Sequence, residues 1–303
     1  MGRALADAFP AARQVFEEAG AILGADFLRI VWEGPEADLK QTVNTQPALL
    51  THSVAAVRVL ESRGARGAFA AGHSLGEYSA HVAAGSLGFA DALRLVRRRG
   101  ELMQAAGQAR PGAMAALVGL APAAVDELCR AARAGGAGEV VAANLNSPVQ
   151  VVISGEAAAV EAVMAQAKPA GARLVIRLEV SGAFHSPLMA PAAQGLKEAL
   201  AAVEIRDAAF PVVANATAQP VRDAAAIRAA LEAQLLSPVR WEESMRRLLA
   251  EGVGAFVEVG SGKVLRGLLK AVDKDAPAAN LDDPASLEEA LGLLSGLGVE
   301  VST

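Results

Sequence analysis

Between Ala113 and Val180 the hydrophobic pattern changes period again and again, and no other stretch narrows the possible folds as much. Ala113 to Gly119 (AMAALVG) reads as a strand and Pro122 to Ala134 as a helix. Val140 to Asn144 and Val149 to Ser154 (VQVVIS) read as two strands joined across Asn146, Ser147 and Pro148. Ala157 to Ala167 is again helical, and Arg173 to Val180 (RLVIRLEV) alternates as a strand does. Strands repeat every second residue and helices every ~3.6, so the order βαββαβ follows from periodicity.

That order is the split βαβ arrangement of a ferredoxin-like unit. Its entry is expected at Gly107 to Gly112 and its exit at Ser181 and Gly182. We therefore divide the chain into a large unit, 1–110 and 181–303, and a smaller one, 111–180, inserted into it. In the large unit, Met1 to Leu23 reads as helix with a break at Pro10. A second helix is expected from Asn44 to Arg63, capped by Asn44 or Thr45, with Pro47 in its first turn. Gly67 to Ala71 (GAFAA), Phe210 to Ala214 (FPVVA) and Ala255 to Val259 (AFVEV) read as strands. Helices are expected over 75–84, 89–106, 187–203, 225–236, 239–251 and from Lys263. Strands alternating with helices predict an α/β class with a mostly parallel sheet covered on both faces.

The chain of 303 residues carries a formal net charge of −5, which argues against nonspecific nucleic-acid binding. It has no apolar run near the ~18 residues of a membrane span. A single cysteine, Cys129, offers neither a disulfide framework nor a thiolate metal site. No secretory leader is read at the start, and a cytoplasmic protein is expected. Gly260, Ser261, Gly262 and Lys263 lack phosphate-loop spacing, because Val257 stands where the first glycine belongs.

The chemistry centres on Gly72, His73, Ser74, Leu75, Gly76 and Glu77, a serine between glycines at a strand-to-helix junction. Such a turn holds a hydroxyl out at the end of a strand, beside the N-terminus of the next helix, where an oxyanion could be met by backbone N–H groups. An ordinary strand-to-helix turn is the alternative reading. A serine nucleophile needs a base, and there are four histidines. His52 lies inside a helix, His81 is spaced to pair with Glu77, and His73 is poorly aimed beside Ser74. His185, in the loop Ser181 to Pro187, is placed as a base would be, with a structural role as its alternative. Arg99 ends a run of three arginines that would ordinarily form a solvated face. Beside a nucleophile it would offer two parallel donors to a substrate carboxylate.

GHSLGE, RRRGELMQ, NLNSPVQVVISG, GAFHSPLM, QLLSPVRW and VEVGSGKVLRGL, together with NTQPALL, run in register through residues 44 to 268. Taken together they resemble the malonyl-CoA:acyl carrier protein transacylase family. The resemblance implies an α/β-hydrolase-like core with an inserted ferredoxin-like subdomain, no bound cofactor and no metal. It implies acyl carrier protein and malonyl-CoA as partners of a monomer active in fatty acid synthesis, with phosphopantetheine carried by the partner protein. By position, Ser74 resembles the acyl-accepting serine, His185 its base, and Arg99 the clamp on the malonyl carboxylate. Gln234 matches the residue whose main-chain carbonyl orients the histidine, and Leu75 an oxyanion donor. Phe184 resembles the bulky residue that narrows the pocket, while Gln46 and Asn146 are expected to line it. Family members also carry an earlier strand and a Gly-Gln-Gly-Ser-Gln loop ahead of the helix that resembles Met1 to Phe9, so a recorded start later than the natural one is expected. The rivals are a serine esterase or thioesterase, a free-standing polyketide or malonate-decarboxylase malonyltransferase, and a truncated inactive form.

Overall fold

The computed structural model describes residues 1–301. It opens on four helices: α1 (Arg3–Ala8), α2 (Pro10–Leu23), α3 (Ala25–Glu33) and α4 (Glu36–Lys40). The break falls at Pro10, which takes the first turn of α2, where its missing N–H costs nothing. Neither α3 nor α4 was expected. Helix α5 (Thr42–Ser62) starts two residues before the expected Asn44, preceded by Gln41. The capping expectation fails: Asn44 and Thr45 lie inside the first turn and bond back to the carbonyls of Asp38 and Leu39, ending α4 rather than opening α5. Pro47 is inside the helix.

Strand β1 is only Ala70–Ala71, then the elbow leads into α6 (Gly76–Ala83) and on to α7 (Phe89–Ala109). GAFAA has no β-branched residue to favour a longer pleated stretch. Chain 112–177 then forms β2 (Gly112–Val118), α8 (Pro122–Ala134), β3 (Val140–Ser147), β4 (Gln150–Glu156), α9 (Ala157–Ala167) and β5 (Leu174–Arg177). These four strands make one antiparallel sheet in the order β3-β4-β2-β5. One face buries Ala115, Leu117, Val151 and Ile153 beneath Val125, Cys129, Val160 and Val163 of α8 and α9. The other face carries a small cluster of Met114, Ala116, Ala143 and Val152, against which Phe184 packs. Entry and exit of this unit touch. A Cβ on Gly107 would lie 2.3 Å from the Ser181 carbonyl oxygen, so only glycine lets the two crossing chains approach.

The chain continues through α10 (Ala190–Ala201), β6 (Val212–Val213), β7 (Pro220–Val221), α11 (Ala224–Gln234), α12 (Trp241–Ala250), β8 (Phe256–Val259), α13 (Val264–Val272), β9 (Ala278–Leu281) and α14 (Pro284–Gly296). The expected parallel sheet is smaller than read. β1 pairs parallel with β6 over two residues, β6 turns antiparallel to β7, and β8 pairs parallel with β9 in a separate ribbon. Pro211 has no N–H to extend the β6 ladder, and its carbonyl instead accepts from Ala70 N–H at 3.1 Å. Strands β7 and β9 and helix α14 were not anticipated. The main core joins α1, α2, α5, α6, α7 and α10, a mixed α/β arrangement with far more helix than strand. Parallel β1 and β6 end side by side, which places the elbow after β1 next to the loop after β6.

Candidate active site

The elbow is strained where the chemistry requires it. Ser74 holds φ at 51°, in a region that L-residues with side chains rarely adopt. His185 does the same at 57°. Such backbone persists only where the surroundings fix it, and it clusters at functional sites. Gly72 is required by space, because a Cβ there would lie 1.9 Å from the Gly76 carbonyl oxygen. Gly76 is not required by space, since a Cβ there would meet nothing within 4 Å.

Ser74 Oγ lies 2.7 Å from His185 Nε2. His185 Nδ1 faces two main-chain carbonyls, Gln234 O and Ser237 O, each at 3.1 Å. Carbonyls only accept, so Nδ1 carries the proton and Nε2 presents its lone pair to the serine hydroxyl. No carboxylate contacts the imidazole among the described residues. Burial first, then the Arg99 cation and His73 when it is protonated, push His185 down to about 3, so the ring is neutral at physiological pH.

Arg99 does not belong to a solvated face. It is 1% exposed, whereas Arg98 pairs with Glu101 at the surface and Arg97 donates to Asn44. Its guanidinium donates to Gln46 Oε1 at 2.6 Å, Ser74 Oγ at 3.0 Å and Gln234 Oε1 at 3.1 Å, all neutral partners. Its Nε has no partner, and the group sits over the Tyr78 ring at 5.7 Å. A buried guanidinium that bonds neutral groups is a ready seat for an anion that comes with a substrate.

At the N-terminus of α6, the Leu75 N–H makes no hydrogen bond within the described residues. It is free to meet an oxyanion formed on an acyl group at Ser74 Oγ. Beside these atoms opens a cavity of about 220 Å³, lined by His73, Ser74, Phe184 and His185 around the elbow and by Met114, Asn144 and Leu178 from the antiparallel sheet and the chain just after it. Asn146, expected to line the site, instead accepts through Oδ1 from His73 Nε2 at 2.8 Å, and Asn144 takes the lining position. Gln46 holds Arg99. The expected Glu77–His81 pairing does not form, because His81 Nδ1 is 2.9 Å from Ser86 Oγ. His52 is buried against the Asp282 carbonyl at 2.9 Å, far from the elbow.

Three residues here were missed. Asn215, just past β6, accepts from Ser74 N–H through Oδ1 and donates through Nδ2 to Gly72 O, both at 2.7 Å. Glu77 is fully buried, and its Oε2 accepts from Gln234 Nε2 at 2.7 Å and Asn215 N–H at 3.2 Å. Ser237 shares the His185 proton with Gln234. Glu77 left a signal, an acid on a short helix otherwise buried throughout its first turns. Asn215 left only its place at a strand end, where loops bring functional groups.

A family model described as Acyl transferase domain matches residues 1–286. A malonyl CoA-acyl carrier protein transacylase of Bacillus subtilis is 46% identical over 97% of this chain and 92% of its own length. The Escherichia coli K12 protein of that name is 44% identical over 95% and 93%. Among solved structures, an acyl carrier protein S-malonyltransferase of Vibrio cholerae aligns with a TM-score of 0.91 at 43% identity, over 96% of this chain and 94% of that one. A malonyl-transacylase in complex with a type II PKS acyl-carrier protein aligns with a TM-score of 0.91 at 44% identity over 96% and 94%.

Proposed function

The chain belongs to the acyl transferase domain family, and on that premise we propose that it transfers a malonyl group from malonyl-CoA to the phosphopantetheine thiol of acyl carrier protein. The observation that carries this reading is Arg99, buried, hydrogen-bonded to neutral side chains and 3.0 Å from the serine hydroxyl. A malonyl carboxylate bound there stands two bonds from the thioester carbonyl, so the same contact selects the acyl group and presents it to Ser74.

In the first half-reaction His185 Nε2 takes the Ser74 proton as Oγ bonds to the thioester carbon. The carbonyl oxygen becomes an oxyanion and meets the Leu75 N–H. Collapse breaks the carbon–sulfur bond, and protonated His185 returns its proton to the departing CoA thiolate. In the second half the carrier-protein thiol gives its proton to His185, attacks the malonyl-serine ester and releases Ser74 with the proton restored. Gln234 and Ser237 hold the imidazole through their carbonyls in place of an acid. That arrangement argues against the esterase reading, which asks for an Asp or Glu behind the histidine.

Phe184 stands beside the cavity as the residue that limits acyl size. The strand order of the small sheet, with α8 and α9 on one face, supports reading 111–180 as a ferredoxin-like subdomain inserted into an α/β-hydrolase-like unit of 1–110 and 181–303. We place the protein in fatty acid synthesis, in the cytoplasm, as a monomer needing no bound cofactor. Among the described residues no helix is long and apolar enough to cross a membrane.

The deciding experiment incubates the protein with malonyl-CoA and then with holo acyl carrier protein. Intact mass should show a malonyl adduct on Ser74, absent in Ser74→Ala, that moves to the carrier thiol. Rapid release of free malonate without a carrier would favour a hydrolase and overturn the proposal.

A further inference from the structure

Among the described residues Glu77 is the one buried carboxyl beside the nucleophile, and the mechanism leaves it unused. Through Gln234 it reaches three parts of the site. Gln234 Nε2 bonds both Glu77 Oε2, at 2.7 Å, and Ser74 O, at 2.8 Å. Gln234 Oε1 accepts from Arg99 at 3.1 Å, and its carbonyl accepts from His185. Through Asn215, Glu77 also supports the residue that grips Ser74 N–H and Gly72 O. Meanwhile Glu77 Oε1 has no hydrogen-bond partner among the described residues.

The charges facing this carboxyl are few. From α7 comes the Arg99 cation. On α6 itself Tyr78 is neutral, pushed up to about 12 by burial, and His81 is neutral, pushed down to about 4 by burial. His185 and His73 across the elbow are lowered by burial too. Helix α5 presents neutral Gln46, while His52 is turned to Asp282. The α11 end and the loop after β6 contribute Gln234 and Asn215, both uncharged. With Glu77 ionised, the free site balances one cation against one anion, joined across a single glutamine side chain.

Resting on the malonyl reading above, we propose that Glu77 is a positioning residue that serves as the resting counter-ion of Arg99 and takes up a proton when a malonyl carboxylate occupies Arg99. Two anions and one cation in a dry core are costly, and the least expensive relief is to neutralise the anion that is held less well. Desolvation already lifts Glu77 to about 7, against the opposing pull of Gln234, Asn215 and Arg99. The unpartnered Oε1 can carry the proton without breaking the bonds that Oε2 accepts. Binding of malonyl and of this proton then favour each other reciprocally, while an acetyl group, which brings no charge, is indifferent to it.

Titration calorimetry on the full-length Ser74→Ala protein, in buffers of different ionisation enthalpy, tests this. At pH 8 malonyl-CoA should take up roughly one proton more than acetyl-CoA, and its affinity should fall about tenfold between pH 6 and pH 8. Acetyl-CoA carries the same phosphates and cancels their titration. Adding Glu77→Gln should abolish the extra uptake and make malonyl affinity at pH 8 higher than in Ser74→Ala alone, a gain that mere structural damage would not produce. Equal uptake with Glu77→Gln, or malonyl binding with no excess uptake, overturns the proposal. If Glu77→Gln does not fold, the malonyl-against-acetyl pH profile of Ser74→Ala decides alone. Should Ser74→Ala bind malonyl-CoA no better than acetyl-CoA, the malonyl reading itself falls, and this inference with it.

Discussion

Between β2 and β4 seven residue pairs run in unbroken register, from Gly112 opposite Glu156 to Val118 opposite Gln150, whereas β1 and β6 share two. The small sheet is held by its ladder and by an apolar core of Leu117, Val151, Ile153 and their neighbours. The elbow beside β1 is held instead by side chains: Asn215 on Ser74 N–H and Gly72 O, Gln234 on Ser74 O, Glu77 behind both. A ladder spreads its energy over many equivalent contacts. A side-chain network puts it into a few bonds, each fixing one atom of a strained turn. The first arrangement tolerates small losses, and the second does not.

The largest effects should therefore come from the elbow. His185→Ala should slow acylation by about 100- to 10,000-fold, read as the burst of CoA release, with the fold intact by circular dichroism. In the unaltered protein the base loses its function only as pH falls through about 3, so acylation should not decline between pH 8 and pH 5. A limb near 6.5 would show that His185 is not the buried, neutral base described. Next in size is Arg99→Ala. Loss of a charge-assisted contact to a desolvated carboxylate costs several kcal/mol, so malonyl transfer should fall about 100-fold or more while acetyl transfer holds or rises. An unchanged malonyl-to-acetyl ratio would remove the clamp assignment.

Asn215→Ala sharpens the contrast between the two regions, because it touches no substrate. It leaves Ser74 N–H and Gly72 O unpaired in a buried turn, at ~1–3 kcal/mol of stability. Turnover per folded molecule should drop at least tenfold as the hydroxyl loses its aim. If stability falls and turnover does not, the elbow is held by its backbone alone and the comparison fails.

How much of this could be read from the chain follows the same division. The order of elements over 111–180 was legible from the change of period, but the faces were not: β4 is buried on both sides, and β5 spans only Leu174–Arg177 of the expected Arg173–Val180, with Leu174 and Ile176 exposed while Val175 packs on the core. GAFAA leads to the nucleophile yet says nothing of its ladder, which depends on a partner at Val212 far along the chain. Ser74, His185 and Arg99 were reached by residue chemistry and by motif. Asn215 was not, since an asparagine after a short strand looks like any turn former. Glu77 was assigned a local partner, His81, because helical spacing is visible in sequence and the approach of Gln234 from α11 is not. Asn144 and Asn146 were exchanged for a related reason. The β3 register shifts between Ala142 and Asn144 and again between Leu145 and Ser147, and a bulge re-aims side chains that simple alternation would place otherwise.

The smallest effect belongs to the small sheet, and it tests the other half of the comparison. Ile153 is fully buried at the centre of β4, opposite Ala115 and Ala142. Ile153→Val removes one methyl group from that core and should cost ~0.5–1.5 kcal/mol, seen as a lower denaturation midpoint with an unchanged slope. Transfer rates for malonyl at saturating carrier protein should stay the same, because the ladder distributes the loss and Ile153 faces α8 and α9 rather than the cavity. A fall in turnover as steep as that of Asn215→Ala would mean that the small core transmits its packing to Phe184 and His185 through Met114 and Val152 on the opposite face. The two regions would then act as one structural unit.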